Sequence, residues 1–425
     1  MWGVDMLISL KFNNCFIYNS EVEFTMRADM RYKRFPSNVI SDKNAHILKA
    51  AMLTGPNNAG KTNFVRCMKA IKNIMLNEPF LLKSNLFTDD PVCELSVCFF
   101  EGGEYIFEVR YHSRTGEFVY ERFAQATYDK YRNRKETDLF VRDSIQKVYL
   151  CDDEQLKAVM SATAKNNILI YLLDASQFPV LDKSKKLITA FASKIDILDM
   201  NNIPIKKTID MLKLPGATQQ RIVNFIRNAD LSLEDYKYAG DDEIKIKVKP
   251  HFGDDLAPQE NSLKESAPLV EMLHLTSVYN GVSVHSILFD STGTKKMAAI
   301  ASYVIDALEQ GRILVIDELD NSLHFKLTRG IISLFNNELN QTAQLICTTH
   351  DITLLDCQRL FRKEQIWFAH KDKETAYLYS LSDFTSERDR VRDTSDLIEK
   401  YKSGVFGTLP EPDLFQSLLE VREDG

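Results

Sequence analysis

The sequence predicts an α/β fold: a strand, loop and helix core, an antiparallel β subdomain, and an inserted helical subdomain. Three patterns predict it. An apolar strand runs through a Gly-containing loop into an amphipathic helix at 47–76, strands alternate between Gly-containing turns at 93–123, and helical periodicity fills 153–234. At roughly 150 residues per domain, 425 residues allow two or three units, with cores large enough to need no metal or disulfide staples. We divide the chain into an N-terminal α/β part at 1–152, the insertion at 153–234, and a C-terminal α/β part at 235–425.

Taken in order, residues 6–12 and 21–26 alternate as strands, and ILKAAMLTG (47–55) is a buried strand ending in a turn. In TNFVRCMKAIKNIML (62–76), Phe64, Met68, Ile71 and Met75 recur at helical steps, with Val65 beside them. CELSVCFFEGGEYIFEVRYHSRTGEFVYERF (93–123) reads as a three-stranded meander. DEQLKAVMSATAKNNILIYLLDA and VLDKSKKLITAFASKIDIL are patterned as helices, with a break at Pro215-Gly216. EIKIKVKPHF (243–252) returns to strand alternation, GDDLAPQENSLKESAP (253–268) is a polar loop, and LVEMLHLTSV and VSVHSILF are strands. Met297, Ile300, Ala301, Val304, Ile305 and Leu308 then form one helical stripe stopped by Gly311. RILVIDE (312–318) and AQLICTTHD (343–351) are two further buried strands.

The composition narrows the function classes. Lys and Arg total 53 against 60 Asp and Glu, a net charge of −7 that argues against wholesale coating of nucleic acid. The basic runs RADMRYKR (27–34) and KYRNRK (130–135) could still touch nucleic-acid phosphates locally, but the favoured reading is solvated faces. The longest apolar cluster, ILIYLL (168–173), is far short of the roughly 20 residues that span a bilayer. The N-terminus has no basic and apolar regions of a secretory signal, so a cytoplasmic location without membrane attachment is expected. Seven cysteines at 15, 67, 93, 98, 151, 347 and 357 form no CxxC pair and read as reduced, buried thiols.

Residues 55–62 read GPNNAGKT, a full match to the phosphate-binding pattern GxxxxGK[ST], set between an apolar strand and a helix. Gly55, Pro56, Asn57, Asn58, Ala59 and Gly60 supply a loop whose backbone N–H groups can wrap phosphates, and Asn63 follows on the helix. Lys61 reaches the β and γ phosphates of ATP, and Thr62 offers a hydroxyl to Mg²⁺. The strand RILVIDE ends in Asp317 and Glu318, suited to hold Mg²⁺ and to polarise a water; acids in this position also serve as ordinary helix caps. Ser291 and Gly293 open the striped helix, either as an anion site or as a plain N-cap. His350 closes the strand AQLICTTHD, where an imidazole suits a γ-phosphate and where a structural histidine is also common.

The order of these motifs resembles the head of ABC-type ATPases over 1–125 and 269–425. By that resemblance STGTK (291–295) occupies the signature position, NSLH (321–324) the D-loop, and His350 the switch histidine. The stretch from FDSTGTKK through LVIDELDNSLH to LICTTHDITLLD is similar to the AAA-family, ABC-type ATPases of bacterial abortive-infection loci, including those of anti-phage systems of the PARIS type. KYKSGVFGTLPEPD (400–413) and FNNCFIYNSEV (12–22) are similar to the same family's terminal segments. The resemblance implies an ATPase dimer or higher homo-oligomer in which Ser291 and Gly293 of one copy complete the site around Lys61 of another. Lys61, Glu318 and His350 would be catalytic. It further implies a separate effector, a Toprim-type nuclease, and a phage-encoded trigger protein.

Departures accompany the likeness. Thr292 replaces the first signature glycine, and no Q-loop glutamine is placed, Gln125 lacking the context. The 75 residues after His350 are too few for a Toprim domain, which puts any nuclease on another chain. The alternative reading is a DNA-repair or recombination ATPase that clamps duplex DNA, weakened by the absence of a CxxC hook and of long heptads. We assign 153–234 as the surface for a partner or a further copy, against the plainer role of capping its own core.

Overall fold

The computed structural model describes residues 5–41, 45–131, 133–230, 232–239, 273–392 and 395–407. A six-stranded sheet forms the centre, in the order Ile195–Asp199, Ile313–Asp317, Gln344–Thr349, Ala50–Thr54, Ile366–Lys371, Ala376–Ser380. The first five strands are parallel and the last pairs antiparallel. The three central segments ILVID, QLICTT and AAMLT are buried at every residue, as parallel strands covered on both faces must be.

Because successive side chains point to opposite faces, Ala51, Leu53, Ile313 and Val315 enter one apolar cluster, and Ala50, Met52, Leu314 and Ile316 another. The helices Lys61–Leu76 and Pro179–Ser193 contribute Phe64, Met68, Ile71, Leu181, Ile188 and Phe191 to the first cluster. The helices Thr292–Gln310 and Phe325–Phe335 contribute Met297, Ile300, Val304, Ile331 and Phe335 to the second. This is the α/β core that the strand and helix patterns predict.

A seven-stranded antiparallel sheet, in the order Val148–Cys151, Arg134–Asp143, Glu117–Tyr128, Glu104–His112, Val92–Phe100, Met6–Asn13, Val22–Thr25, closes over the first cluster. Phe24 meets Phe64 with ring centroids 4.9 Å apart, and Phe99 stacks on Phe191 at 4.3 Å. Gln344 ties the two sheets polar group to polar group. Its amide oxygen accepts from Leu7 N at 2.7 Å, and its Nε2 donates to Leu7 O and Leu48 O at 3.0 and 3.1 Å.

The meander has its three expected strands, but two more follow it, and Arg134 and Lys135 of the basic run open the first of these. Arg134 is committed there to the buried carboxylate of Glu104 at 2.8 Å. The helical reading of VLDKSKKLITAFASKIDIL holds through Ser193 and then fails, because Ile195–Asp199 joins the central sheet beside Ile313–Asp317. Ile195 and Leu198 insert into opposite clusters, burial that only an extended segment gives to residues three apart.

The helices Lys206–Lys213 and Ala217–Ala229 lie against Thr292–Gln310, with Thr208 Oγ1 donating to Ala298 O at 3.0 Å. Residues 195–230 are therefore packed into the head itself. In VSVHSILF the strand Val282–His285 gives way to a short helix, Ser286–Phe289, drawn over by Asp290, which accepts from Ser277, Tyr279 and Ser286.

The stretch EIKIKVKPHF expected as a strand, the stretch 253–268 expected as a loop, and the tail beyond residue 407 lie outside the described residues. None of the seven cysteines, all among the described residues, is in a disulfide, and six are buried. Among the described residues no helix is long and apolar enough to cross a membrane.

Candidate active site

Gly55 to Gly60 connect the strand Ala50–Thr54 to the helix Lys61–Leu76, and two of their positions demand glycine. Gly55 has φ +151°, and a Cβ there would lie 2.2 Å from Ala369 O; Gly60 has φ +112°, and its Cβ would meet the Tyr18 hydroxyl at 2.7 Å. Tyr18 is fully buried and donates to Gly60 O at 3.0 Å, fixing the turn from behind. Asn58 also adopts a left-handed φ of 62°, so the loop curls back on itself with Asn57 and Asn58 exposed at its tip.

Lys61 lies inside that curl. Its Nζ donates to Gly55 O at 2.6 Å and Pro56 O at 2.9 Å, with His350 Nδ1 at 3.5 Å. Burial pushes the ammonium down to about 8, opposed by the charges of Asp317, Glu318 and Asp320. His350 follows the strand Gln344–Thr349, and its backbone N–H donates to Asp320 at 3.1 Å. Desolvation among the loops, then the Lys61 charge, lower its pKa below the usual imidazole range.

Asp317 ends the strand Ile313–Asp317, buried, and accepts from Thr348 Oγ1 at 2.5 Å. Desolvation raises its pKa, opposed by hydrogen bonds from Thr348 and Thr62 and reinforced by the charges of Glu318 and Asp199. Thr62 and Asp317 are thus brought together, a hydroxyl and a carboxylate of the hard oxygen type that Mg²⁺ takes. Among the described residues there is no group of three or more His, Cys, Asp or Glu arranged to hold a metal. An ion on this one carboxylate and one hydroxyl would take its other ligands from water and phosphate oxygens, since Mg²⁺ dehydrates reluctantly.

Glu318 has a left-handed φ of 57°, and its backbone N–H donates to Thr348 Oγ1 at 2.8 Å. Thr348 therefore orients both acids at once. The Glu318 carboxylate receives Asn201 Nδ2 at 3.0 Å and Asn321 Nδ2 at 3.3 Å, both on Oε2.

Ser291 is the N-cap of Thr292–Gln310, accepting from Thr294 N at 3.1 Å, and Thr294 Oγ1 continues to Asp230 at 2.8 Å. Gly293 lies close under Ser322, where a Cβ would stand 3.1 Å from Ser322 O. Among the described residues neither hydrogen-bonds to the phosphate loop, Asp317 or Glu318 of its own chain. His324 caps the helix Phe325–Phe335 by accepting from Lys326 N. Gln125 sits in the antiparallel sheet opposite Tyr105.

Sequence reasoning thus reached the loop, the two acids and the histidine, and the structure brings all of them to the carboxyl ends of neighbouring parallel strands. It missed Tyr18, Thr348, Asp320 and Asn201. Thr348 was within reach, since it stands two residues before His350 on a fully buried strand and a buried hydroxyl must find a partner. Asn201 carried no local signal.

A family model described as an AAA domain, putative AbiEii toxin, Type IV TA system, matches residues 50–356. No curated protein matches the chain. Among solved structures, the chain is similar to an SMC head bound to the C-terminal winged-helix domain of ScpA. That pair shares 10% identity over 88% of this chain and 97% of the other, with TM-score 0.46. The SMC head domain of Thermotoga maritima shares 12% identity over 88% and 98%, with TM-score 0.39. An SMC head with an extended coiled coil, bound to the C-terminal domain of ScpA from Pyrococcus furiosus, shares 10% over 94% and 100%, with TM-score 0.43.

Proposed function

The chain belongs to the AAA-domain family described as putative AbiEii toxin, Type IV TA system, and from that premise we propose an ATP-hydrolysing switch of a bacterial anti-phage system. One observation carries the enzymatic part. The loop Gly55–Thr62, the acids Asp317 and Glu318, and His350 leave the carboxyl ends of three adjacent parallel strands, where open α/β sheets bind their ligands.

In this reading the loop N–H groups and Lys61 bind the phosphates, and Thr62 and Asp317 hold Mg²⁺, which neutralises phosphate charge. Glu318 takes a proton from the attacking water, and His350 contacts the γ-phosphate. Ser291 and Gly293 serve a second copy, whose phosphate loop they face across the dimer. The defence role rests on the family description and on the motif likeness. It assigns the switch a separate effector, a Toprim-type nuclease, that it restrains until a phage product is sensed.

Lys61→Ala is expected to weaken ATP binding by at least tenfold, read with a fluorescent ATP analogue, and to abolish protection in a phage plaque assay. A variant that binds ATP and protects cells as the parent does would end the proposal. Pull-down of the native complex, with identification of co-purifying protein, tests the effector.

A pH dependence follows from Lys61. Burial holds its ammonium at about 8 without nucleotide, and phosphate charge raises that value, so binding takes up a proton between the two. Affinity for ATP is therefore level below about pH 8 and falls as the pH rises above it. Calorimetry in buffers of different ionisation enthalpy should report proton uptake at pH 8.5, and zero uptake there would contradict the assignment.

A further inference from the structure

We infer that Asn201, with Asn321, is the positioning residue that orients Glu318 for proton abstraction. The inference rests on the ATPase reading and assigns a role to residues that the phosphate loop and acid motifs do not include. Both carboxamides donate to a single oxygen of Glu318, Oε2, and among the described residues Oε1 accepts no hydrogen bond. One oxygen is held and the other is left for water.

The carboxamides are themselves fixed. Asn201 Oδ1 accepts from Asn321 Nδ2 at 2.7 Å, while Asn201 Nδ2 is shared with Asp199 Oδ1 at 3.0 Å. The Asn201 backbone N–H also donates to Asp199 Oδ1, at 2.8 Å. Asp199 ends the strand that pairs in register with Asp317, so the support comes from the same sheet as the acids. On the other side, Lys296 Nζ donates to Asn321 Oδ1 at 2.9 Å and to Asn321 O at 3.2 Å. Lys296 lies on the first turns of Thr292–Gln310. The Glu318 carboxylate is thereby indexed to the helix start that carries Ser291 and Gly293. A carboxylate on a left-handed residue at a loop would otherwise sample several rotamers, and holding it removes that freedom before the reaction.

Asn201 is exposed, so its substitution leaves the core intact. Asn201→Ala is expected to lower kcat for ATP roughly tenfold, with KM and ATP affinity within about twofold of the parent, the pattern of an interaction that acts only in the transition state. Asn201→Asp, nearly isosteric but unable to donate, should fall at least as far. In a Glu318→Gln background, Asn201→Ala should cause no further loss, because a positioning residue has nothing left to position.

Unchanged kcat in both Asn201 variants, a change confined to KM, or a further loss in the Glu318→Gln background would each overturn the inference while leaving the ATPase reading in place. A parent chain without Mg-dependent turnover would overturn both.

Discussion

Glu318→Gln lowers kcat for ATP hydrolysis by a factor on the order of 10² to 10⁴, the range contributed by a positioned general base, while ATP affinity stays near that of the parent. The amide keeps the shape of the carboxylate, its backbone N–H still reaches Thr348, and the phosphate loop is untouched. What disappears is the ability to take a proton from water. Asp317, one residue earlier, cannot substitute: it is buried and bound to Thr348 and Thr62. Its own replacement by Asn should instead weaken the Mg²⁺ dependence of binding. The two variants separate the acids by readout, Glu318→Gln in single-turnover hydrolysis and Asp317→Asn in a Mg²⁺ titration of nucleotide binding. If Glu318→Gln hydrolyses ATP at the parent rate, the base lies elsewhere.

The asymmetry between what was and was not legible follows from how far each interaction reaches along the chain. The phosphate loop is eight contiguous residues, and its glycines are forced by neighbours, Ala369 and Tyr18, whose identity the loop pattern need not know. Asp317 and Glu318 were legible because four buried apolar residues, Ile313 to Ile316, precede them without interruption. Asn201 was not, since its partner is 117 residues away and its own stretch was assigned to the helical insertion. The strand Ile195–Asp199 was read as helix because five residues after a long helical stripe give too little period to decide. The central sheet, and not the local pattern, extends them. The positions of Ser291 and Gly293 were read by analogy, and in the single chain the structure shows the plainer half of that reading, a capped helix start.

The largest stability effect is expected far from the nucleotide, at Arg142. Its side chain is 1% exposed and faces Glu121, 0% exposed, across neighbouring strands, with Nη2 2.7 Å from Oε1. Arg142 also donates to Ala164 O at 2.8 Å and Asn167 O at 2.9 Å, and Glu121 accepts from Leu169 N. The pair therefore pins residues 164–169, where the chain leaves the antiparallel sheet, on the way to the helix Pro179–Ser193 and the strand that ends beside Asn201. Arg142→Met leaves a carboxylate in an apolar interior with only one backbone donor, and removal of one member of a buried pair costs about 3–5 kcal/mol. Replacing both members by apolar residues removes the stranded charge. It still leaves the buried N–H of Leu169 without a partner, worth about 1–3 kcal/mol, and turns the carbonyls of the exposed Ala164 and the half-buried Asn167 over to water. The double variant Glu121→Leu with Arg142→Met should thus recover part of the loss and remain below the parent. Urea unfolding of the four proteins of this cycle measures it, and a loss under about 1 kcal/mol for Arg142→Met would show that the pair does not anchor the segment. Because the pair's hydrogen bonds run to Ala164, Asn167 and Leu169 and not to the phosphate loop or the two acids, KM for ATP should stay unchanged at temperatures where the variant is folded. A rise in KM there would mean that the anchor also sets the geometry of the site.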